Sequence, residues 1–160
     1  MGQKRLGCSW IILAFLALAP VNPSHAQSAA EFWLSASSPQ ASFPLAQDKI
    51  AQGETVIVVR VGQVENPAQV DFTVTLSLGR CAGDAERTEI PLGALGLYPK
   101  GSSNRRFVFD LEPALKKIPH GEDPGRFCLE FRLRPLRASE QLRDTRVLIS
   151  APEWQKPPRA

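Results

Sequence analysis

The sequence predicts an all-β sandwich of about seven strands with one short connecting helix. Short apolar segments recur along the chain, and the clearest of them alternate apolar with polar residues, which is the period of a strand with one buried face. The connections between them are rich in Gly, Pro, Asn and Asp, the residues that form turns. Short strands separated by such turns are typical of a sandwich.

Seven segments carry this pattern. TVIVVRV at 55–61 is rich in β-branched residues, and VDFTVTLSL at 70–78 places its apolar side chains on one face. The segment 42–46 is expected to open the sandwich as an edge strand, and Pro91 favours an edge position for the fourth strand because proline donates no ladder hydrogen bond. The predicted strands are 42–46, 55–61, 70–78, 88–93, 105–111, 126–134 and 145–151.

One segment, DLEPALKKI at 110–118, predicts a short helix between two strands. Asp110 suits the N-cap position, and Pro113 is tolerated in the first helical turn. Lys116 and Lys117 suit the C-terminal end, where positive charge is favoured by the helix dipole. We therefore expect a short helical connection across the sandwich here.

The first 26 residues predict a secretory signal peptide. Lys4 and Arg5 give a positive start, and the apolar run at 8–19 has the length of a signal core, which is shorter than the roughly 20 residues that span a bilayer. The SHA that ends the stretch offers small residues before a cut, and an uncleaved anchor is the alternative interpretation. Cleavage would leave 134 residues, 17 basic and 16 acidic, so the net charge falls from +3 to +1. That balance gives no electrostatic reason to expect a nucleic acid or a membrane surface as partner.

The remaining chain is expected to form one domain at 42–151, flanked by two less regular segments. Residues 27–41 are rich in Ala, Ser and Gln and predict a linker or a loosely held first strand, in which 32–34 hold the side chains able to dock. Residues 152–160 are rich in proline and predict an unpaired tail.

Three stretches, AQGETVIVVRV, GSSNRRFVFDL and DPGRFCLEFRL, each combine a turn with a strand. Their order over 42–151 resembles an immunoglobulin-like or fibronectin type III-like domain of bacterial envelope proteins. The sequence departs from antibody domains: the third strand has no tryptophan, and Arg126 stands where those domains have a tyrosine two residues before the second cysteine. The resemblance implies architecture alone, because such folds carry many functions.

Cys81 and Cys128 remain once Cys8 leaves with the signal, and in an exported chain they are expected to form a disulfide. Both have the parity of the polar residues on their strands, so both should point away from the core. The resemblance implies that the third and sixth strands are antiparallel neighbours. With Cys81 opposite Cys128, Ser77 would face Arg132 and Thr75 would face Arg134, and the bridge would lie on the outer face of one sheet.

Four residues are predicted to form a contact surface. Arg132 and Arg134 should stand side by side on an outward sheet face, where they could bind an acidic polymer or an acidic partner protein. The alternative is an ordinary charged, solvent-facing sheet. Trp33 and Trp154 lie near the ends of the mature chain and would cover the sandwich edges or anchor a partner. Carbohydrate binding would require Trp33, Trp154 or Tyr98 to be exposed on a flat patch.

The sequence gives little support to catalysis. His120 is the only histidine after the predicted signal, and with Glu122 and Asp123 it has no recognised metal-ligand spacing, so a solvated turn is expected. No catalytic residue, metal or cofactor is predicted. The expected function is a non-catalytic interaction domain, periplasmic or secreted, that serves as an accessory or assembly subunit of a cell-envelope or secreted complex. A carbohydrate-binding module for an envelope or extracellular polysaccharide is the alternative.

Overall fold

The fold is a sandwich of two antiparallel β-sheets, which confirms the predicted all-β class. A computed structural model describes residues 30–81, 89–97 and 104–158. None of the helices in these ranges is long and apolar enough to cross a membrane. The predicted signal peptide and Tyr98 lie outside the described residues. The strands are β1 (Glu31–Ser35), β2 (Gln40–Pro44), β3 (Val56–Glu65), β4 (Phe72–Arg80), β5 (Glu89–Leu95), β6 (Arg105–Asp110), β7 (Phe127–Pro135), β8 (Arg146–Ser150) and β9 (Glu153–Gln155).

The first sheet has the order β1-β8-β3-β6, and β9 follows β8 along the same side of β3. The second sheet has the order β2-β7-β4-β5. The pairing of β4 with β7 joins the predicted third strand to the predicted sixth. The pairing of β3 with β6 joins the predicted second strand to the predicted fifth. In the immunoglobulin order the last strand lies beside the sixth, whereas here β8 lies in the opposite sheet and β2 pairs with β7. Membership of that family stays a prediction.

The core forms where the inward faces of the two sheets meet. The alternating residues of the strongest sequence patterns are buried there, as their period predicts: Ile57, Val59, Val61, Val74, Leu76, Leu78, Phe127, Leu129, Phe131 and Leu133. Near β1 and β2 the core continues as an aromatic cluster. The ring centroids of Phe32 and Phe43 lie 4.9 Å apart, and those of Phe43 and Phe131 lie 5.8 Å apart with the rings edge to face. This cluster ties the edge strands of both sheets to the centre of the second sheet.

The short helices lie in connections between strands. The helix α1 (Gln47–Ala51) was not expected from the sequence, and its Ile50 packs against the core. The helix α2 (Glu112–Leu115) lies within the predicted segment. The N-cap is Leu111 rather than the predicted Asp110, which lies one residue earlier and accepts a hydrogen bond from the Glu112 N–H. Lys116 pairs with Glu112 one turn earlier, which lowers the pKa of Glu112 and raises that of Lys116.

Both flanking segments are more regular than the sequence indicated. From residue 30 the first segment is a strand of the sandwich rather than a linker: β1 pairs with β8, and Leu34 is fully buried in the core. The supposed unpaired tail contains β9, which pairs with β3, and Trp154 packs against the core. Glu153 forms a two-pronged ion pair with Arg60, which raises the pKa of Arg60. Both segments form strands because they pair with strands that are distant in the sequence, and local composition does not show that pairing.

The disulfide between Cys81 and Cys128 is present, with a Cα–Cα separation of 5.0 Å. Both cysteines have outward parity, as predicted, but the strand register differs from the prediction by two residues. Gly79, rather than Cys81, lies opposite Cys128, and Cys81 donates its N–H to the Arg126 carbonyl. The bridge therefore crosses the ladder diagonally. Gly79 has no side chain, which leaves room for this crossing on the outer face.

Candidate interaction surface

The predicted arginine pair on β7 does not form a free cationic surface. Arg134 is exposed and lies opposite Thr73. Arg132 lies opposite Thr75, and its side chain is only 13% exposed because two carboxylates enclose it. Its Nη2 donates to Glu130 Oε2 at 2.6 Å and its Nη1 to Glu89 Oε2 at 3.2 Å. Arg132 is therefore a structural ion-pair residue.

These ion pairs extend into a polar network on the outer face of the second sheet. Ser77, itself buried, donates to Glu89 Oε1 at 2.9 Å, and Gln40 Nε2 lies 3.5 Å from Glu130 Oε2. The network links β2, β7, β4 and β5 across the whole sheet. Buried charges are tolerated when they are paired and hydrogen-bonded in this way. The charge of Arg132 is consequently neutralised within the sheet, and Arg134 is the exposed member of the predicted pair.

Trp33 occupies the opposite outer face, on β1, and is 38% exposed. The guanidinium of Arg146, on the neighbouring strand β8, stands 5.3 Å from the centre of the indole ring. Arg146 also donates through Nε to Glu65 Oε2 at 2.9 Å, so it is held between β1 and β3. Leu148 lies directly opposite Trp33. We call Trp33, Arg146, Glu65 and Leu148 the Trp33 patch.

The four residues predicted as a contact surface are thus not brought together. Arg132 and Arg134 lie on the outer face of the second sheet, and Trp33 lies on the outer face of the first. Trp154 is half-buried against the core. Arg146, which lies against the Trp33 ring, is not among the four predicted contact residues. The parity of β8 indicated an outward Arg146, whereas its pairing with β1 was not readable from local sequence.

His120 and its acidic neighbours, Glu122 and Asp123, make separate contacts and do not converge on one site. His120 is exposed in the turn between α2 and the 3-10 turn Pro124–Arg126. Glu122 forms an ion pair with Arg80, and Asp123 accepts hydrogen bonds from the Gly125 N–H and from Gln47. Within the described ranges, no group of three or more His, Cys, Asp or Glu residues is arranged to hold a metal ion.

The edges of the second sheet carry features that discourage strand addition. β2 contains Pro44, and β5 contains Pro91 next to an irregularity in its pairing with β4. A proline has no N–H for an incoming strand, and a bulge twists the edge away. These two edges are therefore poor templates for a partner.

The edges of the first sheet differ from each other. β6, with the sequence RRFVFD, carries charges at both ends, and such charges discourage pairing. β1, with the sequence EFWLS, has one charge, Glu31, and presents Trp33. Neither strand contains proline. Among β1, β2, β5 and β6, β1 is the least protected, and it carries the most exposed aromatic surface.

The first hydrogen bond between β1 and β8 shows which backbone N–H and C=O groups of β1 face β8 and which face away from it. The Ala151 N–H donates to the Ala30 carbonyl at 2.6 Å, so Ala30 faces β8. In an antiparallel pair, alternate residues turn both backbone groups toward the neighbouring strand. Glu31 and Trp33 therefore direct their N–H and C=O groups away from β8, and in the described part of the chain β1 has no strand on that side.

A shallow open depression of about 400 Å³ lies where β1 ends and β8 begins. Its walls combine hydroxyl and guanidinium groups with one carboxylate. It adjoins the Trp33 patch because Arg146 belongs to both. The depression is lined by Ser35, Ala36, Ser37, Arg143, Asp144, Thr145 and Arg146.

No protein-family model, curated protein or solved structure matches the chain.

Proposed function

We propose that this chain is a non-catalytic interaction domain, exported to the periplasm or beyond, that serves as an accessory or assembly subunit of a cell-envelope or secreted complex. Its contact surface is the open edge of β1 together with the Trp33 patch. The observation that carries the proposal is that the least protected sheet edge is also the one that exposes a tryptophan. The disulfide supports export, because such bonds persist in oxidising compartments.

The composition of the patch favours a protein partner. Tryptophan and arginine are the residues most enriched at the energetic centres of protein interfaces, and here one stacks on the other. Glu65 and β3 hold Arg146 in place, so little side-chain entropy is lost when a partner binds. The neighbouring backbone groups of Glu31 and Trp33 offer the ladder bonds that an added strand uses.

Carbohydrate binding is the second candidate, and the exposed indole of Trp33 on a sheet surface favours it. Polar groups of Glu65, Arg146 and Ser35 lie around the ring and would hydrogen-bond sugar hydroxyls. This alternative predicts that envelope polysaccharides change tryptophan fluorescence and that Trp33→Ala abolishes the change. The protein-contact proposal predicts no such change.

Trp33→Ala is expected to reduce protein capture strongly. Cells would carry a tagged chain, either wild type or variant, and would be treated with a membrane-permeant crosslinker before purification. We expect Trp33→Ala to lose at least about nine-tenths of each specific crosslinked species, since removal of a tryptophan at the energetic centre of an interface costs about 2 kcal/mol or more. Val108→Ala, which removes an exposed apolar side chain from the other edge of the same sheet, is the matched control. Equal capture by both variants would refute the proposal.

A further inference from the structure

We infer that the strand added to β1 is the β1 strand of a second copy, so that two chains join their first sheets through an antiparallel, two-fold pairing. This inference rests on the proposed function, because it names the partner of the same edge. It follows from three features of β1: its open backbone groups, its aromatic side chains and its charge.

The open backbone groups define the register. Glu31 and Trp33 point their backbone groups outward, whereas the outward N–H of Ser35 already donates to the Ser38 carbonyl at 3.0 Å. The pairing that uses both open residues and avoids Ser35 places Glu31 of each copy opposite Trp33 of the other. The two-fold axis then passes beside Phe32. In this register Glu31 and Trp33 form hydrogen-bonded pairs in both directions.

The side chains suit this pairing on both faces. On the core side the two Phe32 rings would meet at the axis in a non-hydrogen-bonded pair, where cross-strand side chains are closest. Phe32 is half-buried at the rim of its own aromatic cluster, 4.9 Å from Phe43 and 5.6 Å from Phe131 between ring centroids. Pairing would therefore extend the aromatic cluster from one copy into the next.

On the outer face the charges are complementary. Glu31 of one copy would lie opposite Trp33 of the other, and Arg146 stands over that Trp33 ring. Arg146 uses Nε and Nη2 for Glu65 and keeps Nη1 for an incoming carboxylate. In this register no two like charges lie directly opposite each other, because each Glu31 lies opposite the Trp33 indole of the other copy. A two-fold contact of this kind closes on itself and does not propagate into a fibre.

Sedimentation velocity on the exported, processed protein tests the inference across about 1 µM to 1 mM, the range in which weak dimers dissociate. We expect a monomer–dimer equilibrium. Glu31→Pro removes an outward N–H without touching the β8 ladder, and Glu31→Arg places a positive charge beside Arg146. Each should weaken the dimer at least about tenfold, whereas Val108→Pro, the matched change at an outward-facing position of β6, should weaken it less than about twofold. Thermal unfolding establishes that each variant is folded.

Cysteine crosslinking tests the register. Residues opposite each other in a hydrogen-bonded pair have Cα atoms about 5.5 Å apart, which suits a disulfide. A mixture of Glu31→Cys and Trp33→Cys chains should therefore give a mixed disulfide, and neither variant alone should crosslink. Crosslinking of Trp33→Cys with itself would overturn the register.

A chain that stays monomeric throughout the concentration range would overturn the self-pairing. If Trp33→Ala still abolished capture of another envelope protein, the proposed function would stand and only the identity of the partner would be wrong. If the chain were monomeric and Trp33→Ala captured as much protein as the wild type, both the self-pairing and the proposed function would be wrong.

Discussion

Replacement of Arg132 by alanine is expected to lower the free energy of unfolding by about 3 kcal/mol, the lower end of the range for breaking a buried ion pair. The change would leave the carboxylate of Glu130, whose side chain is 11% exposed, without its 2.6 Å partner. Glu89 would lose its arginine as well. Chemical denaturation followed by tryptophan fluorescence measures the effect.

The matched control is Arg134→Ala, two residues further along the same face of β7. Arg134 is exposed, so its loss should change the free energy of unfolding by less than about 0.5 kcal/mol. Replacing Arg132 and Glu130 together by Met and Leu should recover most of the stability, because no unpaired buried carboxylate would remain at position 130. Equal stability of Arg132→Ala and Arg134→Ala would show that the network does not stabilise the fold.

Removal of the Cys81–Cys128 disulfide should cost about 4 kcal/mol, as the chain-entropy relation gives for residues 47 apart in sequence. The double variant Cys81→Ala/Cys128→Ala is expected to unfold at a lower denaturant concentration than the wild type. The slope of the transition should also change, because the unfolded chain becomes less constrained.

Reductant provides the control for this prediction. Adding it should shift the wild-type midpoint toward that of the double variant and should leave the double variant unchanged. A double variant as stable as the oxidised wild type would mean that the bridge is not formed in the exported protein or that strain cancels its contribution.

Alternation predicted the central strands well because burial on one face leaves a signal in every second residue. Phe127, Leu129, Phe131 and Leu133 face the core, and Cys128 faces outward with the polar residues, as their parity required. Parity does not determine register, however. A shift of two residues preserves every face, so the sequence could not show that Gly79 rather than Cys81 lies opposite Cys128.

The last strand was missed, and the first was predicted only as an alternative to a linker, for a different reason. β1 and β9 are short, and their pairing partners, β8 and β3, lie far away in sequence. Local composition describes the Ala and Ser residues before β1 and the prolines around β9, but it carries no information about which distant strand will satisfy their backbone groups. Burial of Leu34 and the packing of Trp154 against the core depend on that pairing.

The candidate surface was predicted only in part. Trp33 is exposed on an edge strand, as a contact residue should be. Arg132 looked equally available because its outward parity is correct, but outward does not mean exposed when Glu89 and Glu130 enclose the side chain. The charge that does accompany Trp33 comes from Arg146, and only the β1–β8 pairing brings the two together.

Site-specific photocrosslinking on β1, β2, β5 and β6 tests whether β1 is the contact edge. A photoreactive phenylalanine analogue would replace, one at a time, the exposed residues Trp33 on β1, Val108 on β6, Ser42 on β2 and Ala94 on β5, in cells that export the protein. The claim that β1 is the contact edge predicts protein adducts from position 33 in large excess over the other three. Adducts that are equally strong at all four positions, or strongest at position 42, 94 or 108, would contradict it.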